Sequence, residues 1–548
     1  MRHGFAIALL GFGLMVGCGK ITRPTPSASP PKPNIETSTT AQPGEDPNEM
    51  KALELYDRLD KAHDVKLSPQ DIASLPANAA ESAKQLGMVV DLQMLMGRDA
   101  NPDLYNKINE IARKQVEAVN AEVGRQPKAV QDIFHSLLSG RGIRNPVILD
   151  DSRVVFECDS NGYDPADTDQ LSDVYIWDLK DGSVRCQSMG EGVDGDWECR
   201  ESSAATGSGT IAFERRFMGL KGTGPKDAYV GAVQVRDPAA AAPVSLASLE
   251  SWTVEGDALL PKEGDERFFR NPVLSANGRR IAAMIRFPPR ENEVYQSGGE
   301  AGDELVLLDR NTKACRAFSR KLGVLEPFVL SRDGNVIAIH GWPSVFAKDA
   351  EGEGGAYRLA LDGSPPKRLP IPEGAELDHV TPGRLAISGD GSRIVFQARA
   401  GGQDQLYLYD DANGSVTLLS ATASGAPGNG QSRNPFISAD GNTVAFVSSS
   451  NNLLPDKRGG VFLYNVATHE LTNPLAGTSH YAGSGIDEKF SRIALSSDGT
   501  LLAFLSADQT LPGVRVPKKA PVGYLPERLF VIRLKDKQFA ILGSALKP

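Results

Sequence analysis

Ser438-Ala-Asp-Gly-Asn-Thr-Val-Ala-Phe446 is a tight turn followed by a β-branched, apolar run. Asp-Gly supplies the positive-φ position that a short hairpin needs, and Val444-Ala-Phe446 suits a strand with a buried face. The same line recurs as Ser275-Ala-Asn-Gly-Arg-Arg-Ile-Ala-Ala283, Ser331-Arg-Asp-Gly-Asn-Val-Ile-Ala-Ile339, Ser388-Gly-Asp-Gly-Ser-Arg-Ile-Val-Phe396 and Ser496-Ser-Asp-Gly-Thr-Leu-Leu-Ala-Phe504. Two degenerate copies precede these, Asp150-Asp-Ser-Arg-Val-Val-Phe156 and Ser208-Gly-Thr-Ile-Ala-Phe213. Counting turns at Asp151, Ser208, Gly278, Gly334, Gly391, Gly441 and Gly499 gives separations of 57, 70, 56, 57, 50 and 58 residues.

Each copy carries further strands around the turn. An Arg-Asn-Pro or Glu-Pro lead-in precedes it at Arg144-Asn-Pro146, Arg270-Asn-Pro272, Glu326-Pro327 and Arg433-Asn-Pro435. An aromatic or aliphatic strand follows, as in Val174-Tyr-Ile-Trp-Asp178, Leu406-Tyr-Leu-Tyr-Asp410 and Val461-Phe-Leu-Tyr-Asn465, and then a last strand such as Ser415-Val-Thr-Leu-Leu419. Four strands per unit and about seven units predict an all-β protein dominated by a β-propeller, whose stacked blades bury faces that one blade could not. A solenoid is the alternative, and hairpins throughout favour blades.

The recurring Pro-x-x-Ser-x-Asp-Gly-x-x-(Ile/Val)-Ala-Phe line resembles the TolB-type, WD-like propeller repeat of bacterial envelope proteins, over residues 144–548. The resemblance implies a docking platform, or an accessory domain beside a hydrolase or receptor. It specifies hairpins and packing more than function. The copies are longer than the usual 40–45 residues of such a repeat, which places insertions between the second and third strands.

The segment before the repeats divides into three. Residues 1–17 form a signal peptide, with Arg2 and His3 ahead of the apolar run Phe5 to Gly17, which is too short to span a membrane. Leu14-Met15-Val16-Gly17-Cys18 resembles the bacterial lipobox, which implies cleavage before Cys18 and lipidation of its thiol. Met15 stands where leucine is commonest, and Gly19 rather than Asp after the cysteine favours the outer membrane. Residues 18–49 are rich in Pro, Ser and Thr and offer almost nothing to bury, so they read as a disordered tether reaching about 80–90 Å. Residues 50–140 read as a small helical region: Met50–Asp60, a capped start at Ser68-Pro69-Gln70-Asp71, longer helices over 80–96 and 102–123, and a last one from Pro127 to Gly140. Met88, Met94 and Met96 read as core filler. The propeller occupies 141–548.

A formal net charge of −10, without a Lys/Arg cluster, excludes a nucleic-acid binder. Cys158, Cys186, Cys199 and Cys315 permit three full pairings; a bridge within the first three and buried thiols are both open readings. The acidic stretch Asp159 to Asp173 holds Asp164, Asp167, Asp169 and Asp173 in a Gly-containing loop, a pattern of oxygen donors that suits Ca²⁺ but lacks the closing Glu of an EF-hand. Among the histidines, His340 and His379 could meet near the channel, His469-Glu470 lacks the second histidine of a zinc motif, and Gly477-Thr-Ser-His480 lacks the glycine of a nucleophile elbow. No catalytic constellation emerges. Long insertions at Arg216–Tyr229, Pro288–Asp303, Ser344–Gly355 and Ala507–Pro526 carry candidate aromatic anchors at Phe217, Phe287, Tyr295, Trp342 and Phe346. The expected function is that of a non-catalytic envelope lipoprotein whose propeller binds an envelope protein or a peptidoglycan-associated partner. A propeller enzyme acting on carbohydrate, a carbohydrate-binding protein, and a surface adhesin or assembly subunit are the alternatives.

Overall fold

A computed structural model describes residues 47–546 apart from 63, 87–88, 92–101, 139–141, 160–161, 165–166, 168–170, 190–196, 218–231, 247–251, 256–267, 287–303, 319–323, 342–353, 378–383, 457–458, 476–492, 507–510 and 512–526. Residues 1–46, with Cys18 and nearly all of the expected tether, and Met88, Met94 and Met96 therefore lie outside the described residues, while residues 47–49, expected to end the tether, open a helix instead. Among those described, seven sheets of four or five strands follow one another along the chain, a seven-bladed β-propeller. They are blades one (144–186), two (197–245), three (253–317), four (324–368), five (375–418), six (432–472) and seven (493–541). Within a blade the strands pair antiparallel in chain order. Two blades depart from this plan. Blade three adds Thr253–Glu255 parallel to its fourth strand, and the first strand of blade five is split into Ala375–Glu376 and Ala386–Ile387.

The repeated sequence line explains how the blades pack. The aromatic that closes it in the second strand faces an aromatic of the third: Phe156 stacks on Tyr175, Phe396 on Tyr407, Phe446 on Phe462 and Phe504 on Phe530, with ring centroids 5.4–5.8 Å apart. Such pairs add about 0.5–1.5 kcal/mol each beyond the area they bury. The first strands of neighbouring blades touch all the way round, including Ile493–Leu495 of blade seven against Arg144–Ile148 of blade one, so they form the inner ring.

Closing the ring joins strands that are far apart in the chain. Val154, Phe156 and Trp177 of blade one share a core with Ala503, Leu529 and Val531 of blade seven. Beyond the last strand the chain clips back onto blade one. The Leu546 N–H donates to the Leu179 carbonyl at 2.7 Å, and the Trp177 indole N–H donates to the Ser544 carbonyl at 3.1 Å. Gly182, at φ +78°, makes this approach possible, because a Cβ there would stand 2.8 Å from both the Gly543 carbonyl oxygen and the Ser544 carbonyl carbon.

Among the described residues, five helices precede the ring: α1 (Pro47–Asp60), α2 (Pro69–Ala73), α3 (Ala77–Leu86), α4 (Pro102–Val123) and α5 (Lys128–Leu138). Ser68 caps α2 as its sequence suggests, accepting from the Asp71 N–H while Asp71 accepts from the Ser68 N–H. The helix expected over 80–96 ends at Leu86. Val89–Asp91 instead pairs antiparallel with Asp64–Lys66, as β-branched Val89 and Val90 favour after Gly87. The helices bury two separate faces. Ala79, Ala83, Leu104 and Ile108 form a small core with Val65 and Leu67. Leu55, Val116, Phe134 and Leu137 instead join the core of the blade seven–blade one seam. No helix among the described residues is long and apolar enough to cross a membrane.

Glu122 on α4 ties α1 down through Lys51 and Arg58, each at 2.7 Å, and these bonds hold its carboxyl at about 2 against an ordinary 4.5. A depressed carboxylate stabilises the fold above its unfolded pKa, and that contribution is lost as pH falls from about 4.5 towards 2. Glu122→Gln should therefore flatten the fall of the urea midpoint between pH 5 and pH 2 relative to wild type.

At the ring closure, Gly182→Ala should cost at least about 2 kcal/mol in urea unfolding. Gly401→Ala, also at positive φ but with open space around it, should cost about 1 kcal/mol, the backbone strain alone.

Candidate functional site at the two ends of the channel

The strand order separates the two ends of the channel. First strands run towards the Ser-x-Asp-Gly turns and second strands run away from them, so the connections from second to third strand lie at the opposite end. At the turn end the motif is a closed hydrogen-bonded unit. In blade four the Ser331 hydroxyl donates to Asp333 at 2.5 Å and accepts from the Val336 N–H at 2.9 Å, while Asp333 accepts from the Asn335 N–H at 2.9 Å. Ser388, Ser438 and Ser496 repeat the pattern, and Ser275 pairs with Asn277 in the same place. Burial alone would raise Asp498, but Ser496 and both the amide and hydroxyl of Thr500 hold its carboxyl below the ordinary value.

Backbone bonds link these turns from blade to blade. Gly207 N–H donates to Ala276 O at 2.7 Å, Ala276 N–H to Arg332 O at 2.7 Å, and Asp333 N–H to Gly389 O at 3.0 Å. Gly389 N–H then donates to Ala439 O at 2.8 Å, and Ala439 N–H to Ser497 O at 2.7 Å. A main-chain belt thus runs through blades two to seven.

The opposite end is organised by arginine. The Arg-Asn-Pro lead-ins are mid-strand bulges: pairing shifts between Arg144 and Val147, between Arg270 and Val273, and between Arg433 and Phe436. Asn145, Asn271 and Asn434 take φ values of 46–54°, a conformation asparagine tolerates better than most residues. Blade two makes the same bulge with Arg200 and Glu201, although its sequence lacks the Asn-Pro signal.

Three of the bulge arginines, Arg144, Arg200 and Arg433, pair with carboxylates. Arg144 makes two bonds to Asp159 and approaches Glu157 at 3.6 Å. Burial works against its charge, but Asp159 outweighs burial and raises its pKa. Glu157, fully buried, accepts from Asn145 at 2.9 Å and from the Ser202 amide and hydroxyl of blade two at 2.8 and 2.9 Å. Arg200 pairs with Glu198, and Arg433 of blade six reaches Asp404 of blade five at 2.5 Å.

The acidic loop of blade one turns inward. Asp167 accepts from the Tyr175 hydroxyl, Asp164 from the Cys186 N–H at 3.0 Å, and Asp173 from the Ser188 hydroxyl at 2.5 Å. Burial, with Asp167 second, pushes the Tyr175 phenol well above its ordinary value. These carboxylates are committed to protein donors, and no metal-binding group of three appears among the described residues. Of the candidate Ca²⁺ ligands, Asp164, Asp167 and Asp173 thus accept from protein donors, and Asp169 lies outside the described residues. Cys158, Cys186, Cys199 and Cys315 are all buried thiols, so the bridge considered within the first three is not made. Cys158 and Cys186 border the seam core while Cys199 packs between blades one and two, so different interfaces take them up. His340 is buried in the second strand of blade four. His379, Ser479, His480 and the backbones of Phe287, Tyr295, Trp342 and Phe346 lie outside the described residues, as does the side chain of Phe217. Arg332, at the turn end, was missed by sequence reasoning; its signal is that it alone is long at a turn position otherwise holding Ala276, Gly389, Ala439 and Ser497.

Seven blades, five of them built on the Ser-x-Asp/Asn-Gly turn, define a seven-bladed β-propeller. No protein-family model and no curated protein matches the sequence. Among solved structures the chain is similar to a putative TolB from Agrobacterium tumefaciens, at 17% identity over 50% of this chain and 81% of that one, TM-score 0.31. It is also similar to TolB from Acinetobacter baumannii, at 16% identity over 70% and 75%, TM-score 0.33. A third is prolyl oligopeptidase B from Galerina marginata, at 12% identity over 83% and 58%, TM-score 0.45.

Asp404→Asn takes the countercharge from Arg433 where the two side chains are only 10% and 13% exposed, and should cost about 3 kcal/mol in urea unfolding. Asp57→Asn, which removes the exposed pair with Lys61, should cost less than about 1 kcal/mol.

Proposed function

We propose that this protein is a non-catalytic binding platform, anchored at the cell envelope through a lipid on Cys18. The end of its propeller opposite the Asp-Gly turns would take an envelope protein or a peptidoglycan-associated partner. The observation that supports this reading is the placement of the long insertions. The connections at 218–231, 287–303, 342–353 and 507–526 all leave from a second strand and return to a third, so all belong to that one end. At that end described ionisable groups pair with one another, as Arg144 does with Asp159 and Arg433 with Asp404. Variable segments on a rigid frame are the arrangement by which loops carry recognition. The net charge of −10 supports a partner other than nucleic acid.

The test is affinity purification from the native envelope, comparing wild type, Cys18→Ala and a variant in which residues 287–303 are replaced by a short Gly-Ser linker. A stoichiometric envelope protein retained by wild type and lost with the insertion establishes docking. A Cys18→Ala protein recovered in the soluble fraction establishes the anchor. Binding to glycan fragments with no protein partner would overturn the scaffold reading in favour of a carbohydrate-directed one.

A further inference from the structure

The second residue of each Ser-x-Asp-Gly turn sits on the inner ring, where the main-chain belt draws the blades together. In blades two to seven it is Thr206, Ala276, Arg332, Gly389, Ala439 and Ser497. All but one are small. The belt requires it: a Cβ on Gly389 would stand 2.8 Å from the Ala439 carbonyl oxygen. Arg332 of blade four departs from this rule. Its guanidinium passes over blade three and donates from Nη2 to the Thr206 hydroxyl of blade two, and it also lies within the electrostatic reach of Asp498 on blade seven. A side chain rooted on blade four that bonds to blade two skips blade three and spans that stretch of the inner ring.

The surroundings leave this cation poorly compensated. Thr206 is neutral, and the Asp498 carboxylate is committed to Ser496 and Thr500 of its own turn. No carboxylate among the described residues lies within ion-pair distance of Arg332. Burial lowers its pKa, and Asp498 recovers part of the loss. A half-buried guanidinium with donors in hand and no carboxylate bonded to it can receive an anion, and a planar carboxylate matches its fork.

We propose that Arg332 stands over the channel at the Asp-Gly end and binds a carboxylate group there. The ligand is a small organic acid or an acidic side chain of a peptide entering the channel. The inference does not rest on the docking role proposed above: a purification without partners leaves it standing.

The experiment follows the melting temperature of the full folded protein at low ionic strength, with glutarate as the probe. A ligand that binds only the native state raises the melting temperature in a saturable way, from which a dissociation constant follows. Wild type should show that rise. Arg332→Gln should weaken it by roughly tenfold or more, the loss expected for one charge-assisted pair, while melting no lower than wild type without glutarate. Thr206→Val removes only the neutral acceptor, so binding should persist or tighten. A Gly-Glu-Gly peptide that reproduces the rise identifies an acidic side chain as the natural source; a response to glutarate alone identifies a small acid. No saturable rise in wild type, or an equal rise in Arg332→Gln, overturns the proposal. If Arg332→Gln fails to fold, Arg332→Lys should bind glutarate measurably more weakly, since an ammonium lacks the fork, and unchanged affinity there overturns it as well.

Discussion

A propeller stands or falls on the closure of its ring. Each blade has two faces to bury, and six of the seven interfaces form between blades that follow one another along the chain. The seventh joins residues far apart in the chain, such as Trp177 and Ser544, which are 367 positions apart. Closing so long a loop costs conformational entropy, and the interface must offset it. The structure concentrates contacts there: aromatic and aliphatic side chains of both blades, the clip of the chain onto Leu179, and three helices packed over the same core. The helices are thus a third element of the seam, which gives a reason for a helical region to precede a propeller at all.

The two ends of the channel are held by different chemistry. At the turn end, main-chain bonds join neighbouring blades, and side chains there must be small because the backbones are close. At the other end, bulges push arginines off the regular strand, and carboxylates receive Arg144 and Arg200 within their own blades and Arg433 from the preceding blade. Buried ion pairs of this kind add little net stability, because desolvation offsets attraction, yet removing one partner is costly. Their effect is to hold the positions of neighbouring blades, and a fixed rim is what long connecting segments need if they are to present a defined surface.

The legible part of this architecture was the part carried by short stretches of chain. Ser-x-Asp-Gly is read locally because serine, aspartate and glycine satisfy one another within five residues. The same holds for the Ser68 cap. Arg-Asn-Pro was visible as a repeated motif but was taken as a lead-in to a strand, since a bulge is defined by its partner strand and not by its own residues. The helix expected over 80–96 failed for a similar reason. Val89–Asp91 found a pairing partner at Asp64–Lys66, and pairing overrode the local helical pattern. In the acidic loop, the spacing of four aspartates suggests an ion, and only the fold shows that three of them meet Tyr175, the Cys186 amide and Ser188.

The sequence by itself determined the repeat, the number of units and the hairpin in each, because turn chemistry and alternating strands are local and recur at regular spacing. Only the tertiary structure decided which side chains meet across blades. Arg433 and Asp404 are 29 residues apart and Arg332 and Thr206 are 126 apart, and neither pair shares a motif. Their meeting follows from the closed ring, which brings the same register of every blade to one axis whatever residue happens to stand there.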